Sequence, residues 1–271
     1  MHNNIVFILF QSFIQGIAEF LPISSSGHLV VLEKWFNYRG PLIEFNLILH
    51  LGTVVAIIIF FRKRIITIAI SIKKTFSKVS LSDEERMYAH FPLWILASLV
   101  GTGGVYLSCK TMLLLSYEKT LFVGCAFLCN ALILFFTKYF DSTSAKKHIT
   151  LFGAFLIGIA QGIAIIPGVS RSGITIAVAL ILGFHAVSAF EYTFILSIPT
   201  ICIASIVRIH GLSSLGFQEG LFFIVGFISS CCVGLVALWI LKKVVLSHKL
   251  YFFSFYCFVL GVIVIISSIL K

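Results

Sequence analysis

Charge is scarce in this chain. Asp, Glu, Lys and Arg make up 11% of its 271 residues and mean hydropathy is +1.10, whereas an ordinary soluble domain is about 25% charged. A soluble fold is excluded, and the chain reads as an integral membrane protein. Acid is scarcer than base. Ten acidic residues against 20 basic leave a net charge of +10, and the only aspartates are Asp83 and Asp141. The basic residues stand in short clusters between apolar runs, the pattern of cytoplasmic loops facing anionic headgroups, so no nucleic-acid partner is expected. Cysteine gives no framework either. Cys109, Cys125, Cys129, Cys202, Cys231, Cys232 and Cys257 are odd in number, lie mostly in apolar runs and form no CxxC. They read as small packing residues rather than disulfides or zinc ligands. The N-terminus lacks a Lys or Arg n-region, so a cleaved signal peptide is not expected.

What the chain has is apolar length. Runs at 42–61, 91–108, 121–137, 188–207, 221–241 and 250–270 approach or reach the roughly 20 residues that a helical span needs. Two polar stretches interrupt this pattern, and they are copies of each other. Residues 15–28, QGIAEFLPISSSGH, align without gaps on 161–174, QGIAIIPGVSRSGI, at an offset of 146 with seven identities in fourteen positions. Such self-similarity indicates an internal repeat. The mismatches matter as much: Glu19 faces Ile165, Ser25 faces Arg171 and His28 faces Ile174.

Each copy reads as an apolar helix, a break at Pro22 or Pro167-Gly168, a Ser/Gly segment and a second apolar arm. In the first copy that arm is interrupted by Glu33 and Lys34 and is too short to cross, so both copies are expected to be re-entrant hairpins. Charge orients the rest. Arg62, Lys63, Arg64, Lys73, Lys74 and Lys78, then Lys138, Lys146 and Lys147, then Lys242, Lys243 and Lys249, all fall on one side, the cytoplasmic side by the positive-inside rule. Both termini then lie outside, and the hairpins open to opposite faces. A second alignment, 43–56 on 190–203 at offset 147, pairs Glu44 with Glu191 and Thr53 with Thr200. The expected fold is therefore an all-α polytopic membrane protein with an inverted-topology repeat. Each half is one re-entrant helical hairpin plus three transmembrane helices, over about 1–140 and about 148–271. Such repeats place a site near the bilayer midplane where broken helices meet.

Several residues could act there. Gln15 and Glu19, spaced i and i+4, share a helix face. An intramembrane carboxylate is a site candidate by default, although Glu19 could instead be interfacial. Ser24, Ser25 and Ser26, with Gly27 and His28, offer hydroxyls, amides and an imidazole near a helix start. Read alone, they could simply cap a helix. Arg171 adds a permanent cation whose planar guanidinium suits phosphate oxygens, or serves as a counter-ion for Glu19. Ser170, Ser172 and Thr175 surround it with donors. Glu44 and Glu191 read equally as a structural pair. His50, His185, His210 and His248 lack clustered partners and read as structural or interfacial.

EFLPISSSGH, with Gln15 four residues before Glu19, together with PGVSRSGIT resembles the undecaprenyl pyrophosphate phosphatase family of the bacitracin-resistance type, over the whole chain. The family's first motif maps on Gln15 and Glu19, its adjoining serine and histidine on Ser25 and His28, and its PGxSRSxxT pattern on Pro167, Gly168, Ser170, Arg171, Ser172 and Thr175. The resemblance implies a multi-pass protein of the bacterial inner membrane. Its substrate is undecaprenyl pyrophosphate, whose terminal phosphate it removes with a divalent cation, recycling the lipid carrier of peptidoglycan synthesis and conferring bacitracin resistance. A homodimer is compatible with it, and an active site facing outside.

With that resemblance, Arg171 and the hairpin hydroxyls of Ser24, Ser26, Ser170, Ser172 and Thr175 are expected to bind the diphosphate. Glu19, helped by Gln15, is expected to hold Mg²⁺ or Ca²⁺. Ser25 is the candidate nucleophile, with His28 as general base or acid, and water is its competitor. A transporter or lipid flippase built on the same architecture is the alternative from another class. The other membrane phosphatase superfamily fits less well, because no His followed by Asp comes after Arg171. A structural scaffold leaves the acid and cation unexplained.

Overall fold

The computed structural model describes residues 2–36, 42–140, 149–208 and 217–270, and these are all helical apart from short connections. Asp141, Lys146, Lys147 and His210 lie outside the described residues, as does the side chain of Glu44. The helices in order are α1 (His2–Ala18), α2 (Ser25–Phe36), α3 (Leu42–Phe60), α4 (Arg62–Phe76), α5 (Asp83–Ala89), α6 (Phe91–Glu118), α7 (Thr120–Phe136), α8 (Leu151–Ile163), α9 (Arg171–Ile181), α10 (Ala186–Arg208), α11 (Phe217–Leu246) and α12 (Phe252–Ile269).

Five segments are long and apolar enough to cross a membrane: Asp83–Cys109, Thr120–Tyr139, Ala186–Ile206, Gly220–Leu246 and Phe252–Ile269. They coincide with the last five apolar runs in the sequence. The first run, 42–61, is α3, which continues through Phe61 into α4 with a bend of 73° and makes a sixth span if the pair is counted as one. The chain is thus a polytopic helical membrane protein. The basic stretch after Phe61, expected as a loop, is helical. Its second helix, α5, starts on a capping box in which the N–H of Glu85 donates to Ser82 Oγ and the N–H of Ser82 to the Glu85 carboxylate. Asp83, Glu84 and Glu85 also sit in its first turn, where the helix dipole favours acids.

The two repeated stretches form short, interrupted helices. The chain leaves α1 at Ala18 and does not resume helical structure until Ser25; it leaves α8 at Ile163 and resumes at Arg171. Pro22 and Pro167 fall inside these breaks, where a missing N–H prevents continuation. At 12 and 11 residues, α2 and α9 are at most about 18 Å long, well short of a hydrocarbon core of about 30 Å.

Close packing holds these elements against the long helices. α7 lies along α12, α6 along α8, and α11 along both α3 and α1. Glycines allow the closest approaches. A methyl group at Gly16 would stand 2.8 Å from Val233 Cβ, and one at Gly162 would stand 2.6 Å from Val105 Cβ. These two glycines occupy matching positions in the repeat. Buried apolar side chains such as Phe20, Ile57, Tyr192, Leu196 and Leu238 fill the interior. The outer faces carry exposed ones such as Phe255, Phe258 and Ile263, as a surface solvated by lipid requires.

Candidate active site

The two breaks meet. Ser24 Oγ accepts a hydrogen bond from the N–H of Gly27 at 3.3 Å, capping α2, and a second from the N–H of Gly168 in the other break at 3.0 Å. Ser170 Oγ caps α9 in the same way, accepting from the N–H of Gly173 at 3.2 Å. Asn130, from the middle of α7, ties the breaks together. Its Nδ2 donates to Pro22 O and its Oδ1 accepts from the N–H of Ser170, both at 3.0 Å. Contact between the breaks is tight enough that a methyl group at Gly27 would lie 2.8 Å from the Gly168 nitrogen and 2.6 Å from the Phe127 ring. Ser24 and Gly168 both take positive φ, 68° and 105°, the left-handed region in which only glycine is free of strain.

Around this junction the polar side chains sort into two groups. The first is centred on Glu19. Ser25 Oγ donates to Glu19 Oε2 at 2.7 Å, Gln15 Nε2 donates to the same oxygen at 3.0 Å, and Arg171 Nη2 stands 3.4 Å from Oε1. His50, on α3, completes the ring: its Nδ1 lies 2.9 Å from Gln15 Nε2 and 3.2 Å from Glu19 Oε2. Nδ1 can donate to Glu19 or accept from Gln15, not both at once, so these contacts are alternatives set by where the imidazole proton sits.

The second group is centred on His28. Its Nδ1 is 2.7 Å from Ser24 O and its Nε2 is 2.6 Å from Tyr256 OH. A carbonyl oxygen only accepts, so Nδ1 carries the proton and Nε2 accepts from the tyrosine. The ring stacks on Tyr256 and meets Phe127 edge-on. Neither nitrogen hydrogen-bonds Ser25 among the described residues. The expected pairing of His28 with Ser25 is replaced by Ser25 with Glu19, because both ring nitrogens of His28 are already engaged, Nδ1 by Ser24 O and Nε2 by Tyr256 OH.

A small cavity of about 10 Å³ touches the first group, lined by Glu19, Arg171, Ser172 and Thr193 on its polar side and by Phe20 and Phe194 on its apolar side. That is room for about one water molecule. Three buried polar atoms nearby have no hydrogen-bond partner: Arg171 Nη1, Gln15 Oε1 and Thr193 Oγ1. Of the five hydroxyls expected to bind diphosphate, Ser172 alone lines this cavity. Ser24 and Ser170 cap helices, Ser26 lies 3.4 Å from Ser24 Oγ, and Thr175 Oγ1 donates to Arg171 O at 2.7 Å. Glu191 is remote from the site, paired with Arg64 at 3.0 Å.

His50, expected to lack clustered partners, instead stands in the Glu19 group, and the sequence did not single out Asn130 and Tyr256. One signal was available for His50: the offset of 147 that aligns the first full spans pairs it with Ser197, which lines the same cavity. A lone Asn in the apolar run 121–137 is also informative, since a buried amide must find partners.

The bacitracin resistance protein BacA family model matches residues 8–263. An undecaprenyl-diphosphatase of Methanosphaera stadtmanae is 36% identical over 264 residues, covering 94% of this chain and 95% of that protein. One of Carboxydothermus hydrogenoformans is 33% identical over 265 residues, covering 95% of each. Another, of Treponema denticola, is 35% identical over 252 residues, covering 92% of this chain and 91% of its own.

Proposed function

The chain belongs to the family of bacitracin resistance protein BacA, and from that premise we propose that it is an undecaprenyl-diphosphatase, a membrane hydrolase that releases the terminal phosphate of undecaprenyl pyrophosphate. The product, undecaprenyl phosphate, returns as lipid carrier to peptidoglycan synthesis, and the activity confers bacitracin resistance. One observation carries the reading at the level of chemistry: Arg171 holds Glu19 with one nitrogen while its other, Nη1, is buried and unpartnered. A half-buried guanidinium with one buried, free donor calls for an anion, and a phosphoryl group matches its fork. The starting points of α2 and α9 at the same junction add positive helix ends.

The substrate's isoprenoid tail stays in lipid while its head enters between the breaks. The cavity has room for little more than water, so the diphosphate must widen it, and it does so by drawing Arg171 from Glu19 onto phosphoryl oxygens. Ser25 Oγ attacks the terminal phosphorus, its proton passes to Glu19, and the P–O bond to the lipid phosphate breaks. Water then hydrolyses the phosphoserine, releasing phosphate and restoring Ser25. Arg171, Ser172 and the helix ends stabilise charge on the transferring phosphoryl group, the largest expected contribution. His28, fixed between Ser24 O and Tyr256, positions the first turn of α2 and so the Ser25 hydroxyl. Direct attack by water activated by Glu19 gives the same products and is separated from this route by trapping the phosphoserine.

A divalent cation, Mg²⁺ or Ca²⁺, is part of this reading. Glu19 offers one carboxylate and Gln15 Oε1 a buried oxygen without a partner. Among the described residues no group of three His, Cys, Asp or Glu is gathered. Such an ion would therefore take most ligands from diphosphate and water, as Mg²⁺ commonly does. When bound it would neutralise charge on the phosphoryl oxygens.

The finer architecture belongs to the same proposal. We read the chain as two inverted halves, about 1–140 and about 148–271, each with a re-entrant hairpin, in the plasma membrane with both termini outside and the active site opening outward. The matching caps at Ser24 and Ser170 and the matching contacts of Gly16 and Gly162 support it, as does the distribution of basic clusters. The homodimer is carried by the family resemblance.

The test is phosphate release from long-chain prenyl diphosphate by detergent-purified protein. The parent should release phosphate with no ion gradient, and Glu19→Ala should nearly abolish it. Lipid movement across vesicles by the Glu19→Ala variant, with no hydrolysis by the parent, would replace the enzyme with a transporter.

A further inference from the structure

A second, larger cavity of about 330 Å³ lies where α3 bends into α4, beside the start of α10 and the end of α11. Three cations line it, Lys63, Arg64 and Lys242, against one carboxylate, Glu191. That carboxylate is already taken, paired with Arg64 at 3.0 Å, and Arg64 also binds Glu84 at 2.9 Å. No acid pairs with Lys63 or Lys242 among the described residues. The neighbouring Lys243 is engaged over the Trp239 ring at 3.4 Å, so Lys242 alone of the two is directed to the cavity.

The helix that forms one wall adds to the positive field. α4 begins with Arg62, Lys63 and Arg64, has no acidic residue in its first turn, and its N-cap Phe61 provides no side-chain hydrogen bond. Cations at a helix start are disfavoured by the dipole. Orientation of the chain in the membrane accounts for basic residues here, but not for their convergence from two helices on one concavity. Apart from Thr67, the remaining lining is apolar and includes Phe61 and Phe190. Both touch Phe194, at ring separations of 6.3 and 5.0 Å, and Phe194 also lines the Glu19 cavity. The two cavities are separated by this aromatic wall.

We propose that this basic cavity binds the phosphate monoester headgroup of a lipid, with the cations on the headgroup and the phenylalanines along the first part of the chain. A phosphate monoester carries about −1.5 to −2 charge at neutral pH, which suits two unpaired lysines. The half-apolar lining favours a phosphate on an acyl or prenyl chain over free phosphate. The inference concerns a site separate from Glu19 and does not rest on the hydrolase reading.

The experiment measures binding of radiolabelled long-chain prenyl monophosphate to the full chain in phosphatidylcholine nanodiscs, with inorganic phosphate and dioleoyl phosphatidic acid as competitors. Arg171→Ala should retain the site. Lys63→Gln with Lys242→Gln, both exposed positions that the fold does not need, should weaken it tenfold or more. Phosphatidic acid should compete and inorganic phosphate should not. Unchanged binding in the lysine pair overturns the proposal, as does loss of all binding in Arg171→Ala, which would place the ligand in the Glu19 cavity. Competition by inorganic phosphate as strong as by the lipids would make it a site for the free anion and overturn the lipid assignment. Should the parent release no phosphate from prenyl diphosphate while these binding results hold, the hydrolase reading fails and the cavity assignment stands.

Discussion

Arg171 Nη2 stands 3.4 Å from Glu19 Oε1, and these two residues come from opposite copies of the repeated stretch, Glu19 from the first helix break and Arg171 from the start of the helix that follows the second. The acid and the cation that the alignment showed as unmatched are each other's partners. Without substrate they neutralise one another, and on the proposed function an arriving phosphate anion would compete for the guanidinium.

Arg171→Lys should therefore fail despite keeping the charge. An ammonium lacks the planar fork that can face a carboxylate and a phosphoryl group together. Steady-state phosphate release should fall at least tenfold in the lysine variant and about a hundredfold or more in Arg171→Ala, on the scale of losing one strong transition-state donor.

Ser25 and Glu19 share one hydrogen bond of 2.7 Å, so their losses should not add. Ser25→Ala and Glu19→Gln should each lower kcat by about a thousandfold, and the double variant should fall within about threefold of the worse single one, as residues acting as a unit do. Multiplying losses would separate their roles.

Gln15 is where the proposed divalent cation can be tested. Gln15→Glu places a second carboxylate beside Glu19 and removes the donor that now bridges to it. At saturating Mg²⁺ phosphate release should stay within about threefold of the parent, because the ion offsets the repulsion. With chelator the variant should lose distinctly more activity than the parent. Equal chelator responses would remove Gln15 from the ion's surroundings.

Gly27→Ala should destabilise, since the added methyl group meets backbone of the other break at 2.8 Å and overpacking of this kind costs about 1–3 kcal/mol. Melting temperature in detergent and activity should drop together. Gly104→Ala in α6, where nothing lies within 4 Å, serves as the control and should be neutral or stabilising by up to about 1 kcal/mol.

Asn130→Ala should leave the N–H of Ser170 without its partner and Pro22 O with only the weak Cys257 Sγ donor at 3.6 Å, at about 1–3 kcal/mol for the buried N–H. Asn130→Asp keeps the acceptor for Ser170 and loses the donor to Pro22, so its melting temperature should fall between those of the parent and the alanine variant.

Much of this was legible in the sequence because membrane spans and their interruptions are written in local composition. The apolar runs after residue 90 became helices in place, and Pro22 and Pro167 fell within the breaks. Glu19 and Arg171 could be matched because the sequence alignment of the two stretches leaves each of them opposite an uncharged residue. His28 was harder: its chemistry suggested a base for Ser25, but ring orientation depends on Tyr256, 228 positions away. His50 and Asn130 are single polar residues on apolar helices, and only packing decides which of their neighbours they meet. The helical character of 62–76 and 83–89 was hidden for a different reason, since the basic residues there gave the stronger signal of membrane sidedness.

The hydrogen bond from Gly168 to Ser24 spans 144 positions, and this has a consequence in time. At about 5–20 residues per second of synthesis, roughly 7 to 30 s separate the appearance of the acceptor from that of its donor. Asn130, the other partner of the first break, is also made after it, so that break waits with open polar groups in a lipid setting. The ribosome therefore delivers a half-built pocket that its later-born sibling must finish, and a chain truncated before residue 168 would be an orphan for quality control to remove.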